Sequence, residues 1–428
     1  MAGLRALLAD TTPLQTPTFR RLWVANIITV IGAQLTVVAV PAQLYAITNS
    51  SAYVGLAGLF GLVPLIVFGL WGGALADHFD RRMLLIVTTA GLILTSGCFW
   101  AQAAAGLNNV WLLLGVFSLQ QACFAVNQPT RTAVLPRLLP DEQLPAANAL
   151  NMTVMTAGAI AGPLVGGALI PVVGFSWLYL IDTITLFATL SAVIRLPRLP
   201  VQGRTGSPGL RSIIEGVRFL RWHVVVLVSL GVDLVAMIFG MPRALFPELA
   251  HVSFGERAEG GLVYALLFVG IPLGSLVGGI FSGWYSRVRR QGLAVIVCIL
   301  IWGGAIALFG VAVGLAPVWR TPMLVVAIVM LAVGGAADMA SAAFRQTMLL
   351  AATDDAVRGR VQGVFIVVVA GGPRLADVFH GLAAEWLGAP LTAAIGGVLV
   401  VVTMLLIGAR VTPFRNYTVT LPEPARTD

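Results

Sequence analysis

Between Arg21 and Asp77 the chain carries no charged side chain, and between Arg82 and Arg131 it again carries none. A helix needs about 20 apolar residues to cross roughly 30 Å of hydrocarbon. Each run therefore holds two spans. The first breaks at Asn49-Ser50-Ser51 and the second at Gly106-Leu107-Asn108-Asn109. The same reading along the whole chain predicts twelve spans, at 19–47, 52–76, 83–105, 110–135, 143–171, 175–195, 223–248, 260–285, 292–315, 321–350, 361–386 and 390–409. The expected fold class is an all-α membrane protein of twelve transmembrane helices.

Composition agrees. Of 428 residues, 58% are hydrophobic and 10% charged, where a soluble chain carries about a quarter charged. The net charge of +8 raises nucleic acid as a partner, but the distribution of Arg explains it better. One set of connections holds Arg20, Arg21, Arg81, Arg82, Arg137, the 195–221 segment, Arg287, Arg289, Arg290, Arg358, Arg360, Arg410 and Arg415; the opposite set holds Arg257 and Arg320. Cytoplasmic loops carry the basic excess, so both termini are expected in the cytoplasm and no nucleic-acid partner is expected. The first apolar run has no small-residue cleavage site after a short core and is expected to persist as the first helix. The three cysteines lie in apolar runs and the four His are scattered, so neither a disulfide framework nor a metal site is expected. No nucleophile, His and carboxylate arrangement suggests an enzyme. With no Lys in the chain, no phosphate-binding G-x-x-x-x-G-K-[ST] loop exists to couple ATP.

The chain divides at a segment rich in Pro and Gly, Pro197 to Gly209, followed by 210–221, whose apolar positions share a helical face as in a helix lying on the membrane surface. The expected domains are an N-terminal six-helix bundle (1–195), a cytoplasmic linker with that surface helix (196–222), a C-terminal six-helix bundle (223–410) and a cytoplasmic tail (411–428). The halves repeat. At one offset Pro41, Gly55, Gly72, Gly73 and Arg81 match Pro247, Gly261, Gly278, Gly279 and Arg287. At slightly larger offsets Arg131 matches Arg345, and Gly162-Pro163 matches Gly372-Pro373. Parallel six-helix repeats are the architecture of one large class of secondary transporters, with substrate held near the midplane between them.

Two motifs give this architecture a family. After the second span comes Gly73-Ala74-Leu75-Ala76-Asp77-His78-Phe79-Asp80-Arg81-Arg82, a helix end and a tight charged turn. It resembles the signature loop of the major facilitator superfamily, G-x-x-x-D-R-x-G-R-R/K, with His78 for the usual Arg and Asp80 for the usual Gly. The resemblance implies a gating loop of Gly73, Asp77, Arg81 and Arg82, in which Asp77 caps the next helix or pairs with an Arg. The fifth span carries Gly158, Gly162, Pro163, Gly166 and Gly167. Their spacing suits close helix packing and resembles the superfamily's exporter motif, G-x-x-x-G-P-x-x-G-G. Three further stretches, Pro129 to Pro136 with Ala147 to Leu150, Asp354 to Val361, and Gly372 to Asp377, are similar to the branch holding enterobactin-type siderophore exporters and macrolide efflux proteins. The fourth helix has Leu119-Gln120-Gln121 where drug antiporters often carry an Arg, so their proton coupling is not transferred to this chain.

Ionisable groups at membrane depth cost about 2.5–3.5 kcal/mol each on insertion scales and default to functional candidates. They are Asp182, Asp233, Asp338 and Asp377, with Arg131, Arg243, Arg345 and Arg374, and His380 on the eleventh span. As proton or substrate groups we single out Asp377 first, with Arg374 and His380 within a turn of it, then Asp338, Asp233 and Asp182, with Arg131 and Arg345 as gate or anion contacts. Neutralisation of Arg374 by Asp377 within one helix, and snorkelling of Arg131 and Arg345, are the plainer alternatives. Asp338 and Arg345 stand two turns apart, too far for a direct bond. The expected function is a secondary active exporter, a proton antiporter in the inner membrane. It would move a siderophore-like or hydrophobic small molecule out of the cytoplasm by alternating access. The alternative is a multidrug or macrolide pump of the same fold. The expected energy source is the proton gradient, with no cofactor; the expected partners are a small-molecule substrate and the lipid bilayer, and the protein is expected to be a monomer.

Overall fold

The computed structural model describes residues 10–198, 218, 223–351 and 355–418, with the backbone alone for 70–78, 355–363 and 366. The surface helix expected at 210–221 lies outside the described residues. Every long element is a helix, and among the described residues there is no strand. We number the long helices α1 (Pro17–Thr48), α2 (Ser51–His78), α3 (Arg81–Ala104), α4 (Val110–Leu138), α5 (144–173), α6 (175–194), α7 (Val224–Gly240), α8 (Leu262–Ile280), α9 (Gln291–Leu315), α10 (Arg320–Ala351), α11 (Asp355–Leu387) and α12 (Ala389–Arg410). The stretch Leu144–Ile194 is continuous in hydrogen bonding, but Gly174 has φ 78 and ψ 171. A straight helix of that length would run about 75 Å, more than twice the hydrocarbon thickness, so it is two spans. Ten described stretches are long and apolar enough to cross a membrane. Dividing the stretch at Gly174 and including α11 is consistent with the expected twelve. Large apolar side chains cover the outside, Trp386 at 90% and Val172 at 78% exposure among them. A surface this apolar is suited to lipid rather than water.

Local sequence sets the helix ends. Asn49 ends α1 in the left-handed region, φ 50, and its N–H donates to the Tyr45 carbonyl. Asp80 caps α3, accepting from the amides of Arg82 at 2.8 Å and Met83 at 3.2 Å. Asn109 caps α4 through the Leu112 amide at 3.1 Å. One span departs from expectation. The helix predicted over 223–248 stops at Gly240, and Met241 leaves helical geometry at φ −118, ψ 81. The next residue is Pro242, which offers no N–H to continue the ladder.

The chain forms two compact units, Met1–Gly209 with Phe246–Val269, and Leu210–Leu245 with Gly270–Asp428. Segment 246–269 joins the first unit through specific contacts. The Tyr264 hydroxyl donates to the Val38 carbonyl at 2.8 Å, and the Ser51 hydroxyl donates to Glu248. In the second unit the chain after α12 turns at Thr412–Arg415 and returns to the start of α9, where the Gly292 amide donates to the Tyr417 carbonyl at 3.3 Å.

Packing repeats between the units. In the first, α1 packs on the α5–α6 stretch, α2 on α4, and α3 on α6. In the second, α7 packs on α11, α8 on α10, and α9 on α12. Gly162 faces Gln34 of α1, and Gly372 faces Met237 of α7. The two Gly-Pro pairs matched by sequence thus hold the same kind of helix contact in each repeat.

Candidate functional site

Beyond the end of α7 the backbone is irregular. A single 3-10 turn, Arg243–Leu245, is followed by a helical turn, Phe246–Glu248, and a π-type turn, Leu249–Ser253. At membrane depth such backbone persists only where it is enclosed by protein or lines a polar cavity. The turn carrying Arg243 packs against α11.

Three helices of the second unit, α7, α10 and α11, carry buried or half-buried charges. Arg345 of α10 is 4% exposed and Asp233 of α7 is 1% exposed. Their Nη1 and Oδ1 atoms lie 2.5 Å apart. Asp338, earlier on α10, places Oδ1 3.7 Å from Nη2 of the same guanidinium. That separation is within ion-pair reach, closer than the spacing along the sequence suggests, and too long for a hydrogen bond. Two carboxylates therefore share one cation, and one proton on either would neutralise the triad.

On α11, Arg374 and Asp377 form an i, i+3 pair at 3.9 Å, with both side chains partly exposed. Arg243 is coupled electrostatically to this pair: Asp377 and Asp338 attract it and Arg374 repels it. His380, though one turn from Asp377, is fully buried, and its Nδ1 meets the Ala376 carbonyl of its own helix at 3.0 Å. Its ring lies beside Gly396 of α12, and its Nε2 is buried with no hydrogen-bond partner among the described residues. Arg243 was visible as an intramembrane charge but had not been singled out. The sequence signal that could have promoted it is the Met241-Pro242 break immediately before it.

The first unit holds its acid differently. Asp182 of α6 is 2% exposed. Its Oδ2 accepts from the Thr36 hydroxyl at 2.7 Å and the Ser96 hydroxyl at 2.8 Å. Oδ1 has no partner among the described residues. One turn away the Tyr179 hydroxyl donates to Gln43, whose amide pairs with that of Gln102. This polar seam ties α1, α3 and α6 together without a cation. Arg131, the sequence counterpart of Arg345, buries Nη2 with no partner among the described residues.

The signature loop is also local. Gly73 and Asp77 lie where only backbone is described, and the cap on the next helix comes from Asp80. Arg81 donates to the Ala133 carbonyl of α4 at 2.9 Å, and Arg82 donates to the Ile194 carbonyl of α6 at 2.6 Å. Cations on carbonyls near helix C-termini are favoured electrostatically, so the pair clamps neighbouring helix ends. In the exporter motif, a Cβ on Gly158 or Gly162 would run into Val30 or Gln34 of α1. One on Gly166 would lie 3.2 Å from Leu35, and one on Gly167 would lie 2.6 Å from the Ala265 side chain. Pro163 is buried among them.

Comparisons with known proteins agree with this architecture. The profile of a family described as transmembrane secretion effector matches residues 9–420. The enterobactin exporter EntS of Shigella boydii serotype 18 is 30% identical over 96% of each chain. Its counterpart from Escherichia coli strain K12 is 29% identical, also over 96% of each chain. Among solved structures, the nucleoside transporter NupG superposes with a TM-score of 0.70 at 14% identity, covering 92% of this chain and 99% of its own. A D-xylose-proton symporter gives 0.68 at 13% identity, covering 94% and 100%. At such identities the solved structures speak for the fold alone.

Proposed function

We propose, for a chain that belongs to the transmembrane secretion effector family within the major facilitator superfamily, export of a siderophore-like or hydrophobic small molecule from the cytoplasm in exchange for protons. The family is one of transporters, not enzymes, and its members carry small molecules across a lipid bilayer. The relatives named above are exporters of enterobactin, which is the first substrate to test here. We place the protein in the inner membrane as a monomer with both termini cytoplasmic, in line with the Arg distribution.

One observation carries the proton part: Asp233 and Asp338 share the single guanidinium of Arg345. Like charges held together favour protonation of one of them. A proton arriving on Asp338 leaves Arg345 wholly to Asp233; its departure restores the competition. We rank this triad ahead of Asp377, whose ion pair among the described residues is a 3.9 Å contact with Arg374 on its own helix. Asp182, held by hydroxyls alone, is the candidate in the first unit.

The test is complementation of an enterobactin-producing strain that lacks its own exporter. We expect secreted enterobactin to return with the wild-type chain and not with Asp233→Asn. Retention of enterobactin in cells expressing wild type at verified membrane levels overturns the substrate. A shift in susceptibility to macrolides in the same cells points instead to the drug pump.

A further inference from the structure

Arg243 is an interior guanidinium with no direct partner. Among the described residues it has neither an ion pair nor a hydrogen bond through its side chain, while Arg345 and Arg374 each have a carboxylate within 4.0 Å. It is only partly exposed. An Arg directed into lipid is costly, and such groups face protein or a polar cavity instead. The residue sits where α7 is interrupted, and discontinuous helices form the substrate sites of several transporter folds.

The neighbourhood is mixed rather than purely ionic. Four residues before Arg243, at the end of α7, Phe239 stands edge-on to Phe379 of α11, ring centroids 4.9 Å apart at 89°. Both rings are partly exposed. Phe379 follows Asp377 by two residues and Phe239 precedes the break at Met241 by two, so the aromatic pair links the break to the Asp377 stretch of α11. A planar guanidinium with free donors recognises oxyanions through paired N–H bonds, and the rings offer apolar contact next to it.

We propose that Arg243 is an anion-recognition site for the exported molecule, and that the substrate class is a hydrophobic or aromatic acid whose ionised oxygens meet Arg243 while its body lies on Phe239 and Phe379. The substrate class deepens the export function and rests on that reading. Asp377 keeps the site electrically tolerable when empty and is displaced from influence when the acid arrives.

Two separate measurements test it. Purified full-length protein in detergent is titrated with salicylate and with its neutral amide, salicylamide, and melting is followed. We expect salicylate to raise the melting temperature of wild type and salicylamide not to. Arg243→Gln should weaken the salicylate response by about tenfold or more, the loss expected for a charged hydrogen bond. Arg243→Lys should retain much of it, which a purely structural role would not predict. Size-exclusion profiles check that both variants fold. Equal responses to acid and amide, equal responses of wild type and Arg243→Gln, or no response to the acid, each overturn the anion site. Enterobactin transport in vesicles is the second arm. Its absence with acid recognition intact overturns the siderophore reading alone.

Discussion

Replacing Arg345 with Met would leave Asp233 buried with no cation. Breaking a buried pair from one side costs about 3–5 kcal/mol, whereas replacing both partners with apolar residues is often close to neutral. We therefore expect Arg345→Met to lower the melting temperature in detergent sharply, and Asp233→Leu with Arg345→Met to recover most of the loss while remaining unable to transport. A double mutant as unstable as the single one would show that the pair does not act as a unit. At the loop, Asp80→Ala should cost about 0.5–2 kcal/mol through loss of the cap on α3, and Asp80→Asn much less; thermal denaturation compares them. The acids and bases themselves were legible as charges inside apolar runs. Their partners were not. Thr36 and Asp182 are 146 positions apart, and no periodicity along one helix encodes which face of another it will meet.

Helix contacts were easier to anticipate. Gly158, Gly162 and Gly166 recur at four-residue spacing, which puts them on one face, and that face lies against α1. We expect Gly162→Val to push α1 from α5 and abolish transport, since the new side chain would collide with Gln34. Gly97→Ala should be tolerated, because nothing lies within 4 Å of its position. Transport assays on both, at matched expression, distinguish packing from a general aversion to side chains at glycine. The end of α7 shows the opposite case. Apart from Arg243 its residues stay apolar through Phe246, so hydropathy alone extended the span, while Pro242 stops the hydrogen-bond ladder inside it.

For the whole molecule, the repeat matches predicted two related sets of six helices, and the shared pairings, α1 with α5 and α7 with α11, follow that symmetry. The charges do not follow it: Arg345 has two acids and Arg131 none among the described residues. If exchange with protons runs through the second unit alone, inside-out vesicles with an acidic interior should accumulate enterobactin, and a protonophore should stop this. Asp233→Asn should lose the dependence on the gradient, while Asp182→Asn should keep it. Gradient dependence that survives in Asp233→Asn and disappears in Asp182→Asn would move the coupling to the first unit.

One residue, Gly388 at φ 75, separates α11 from α12. A joint that short has no slack. Any tilt that carries Arg374 and Asp377 must swing α12 with it, so the arm bearing these two charges travels as a hairpin. A chemical staple fastening α12 to α9 would then arrest Asp377 without touching it.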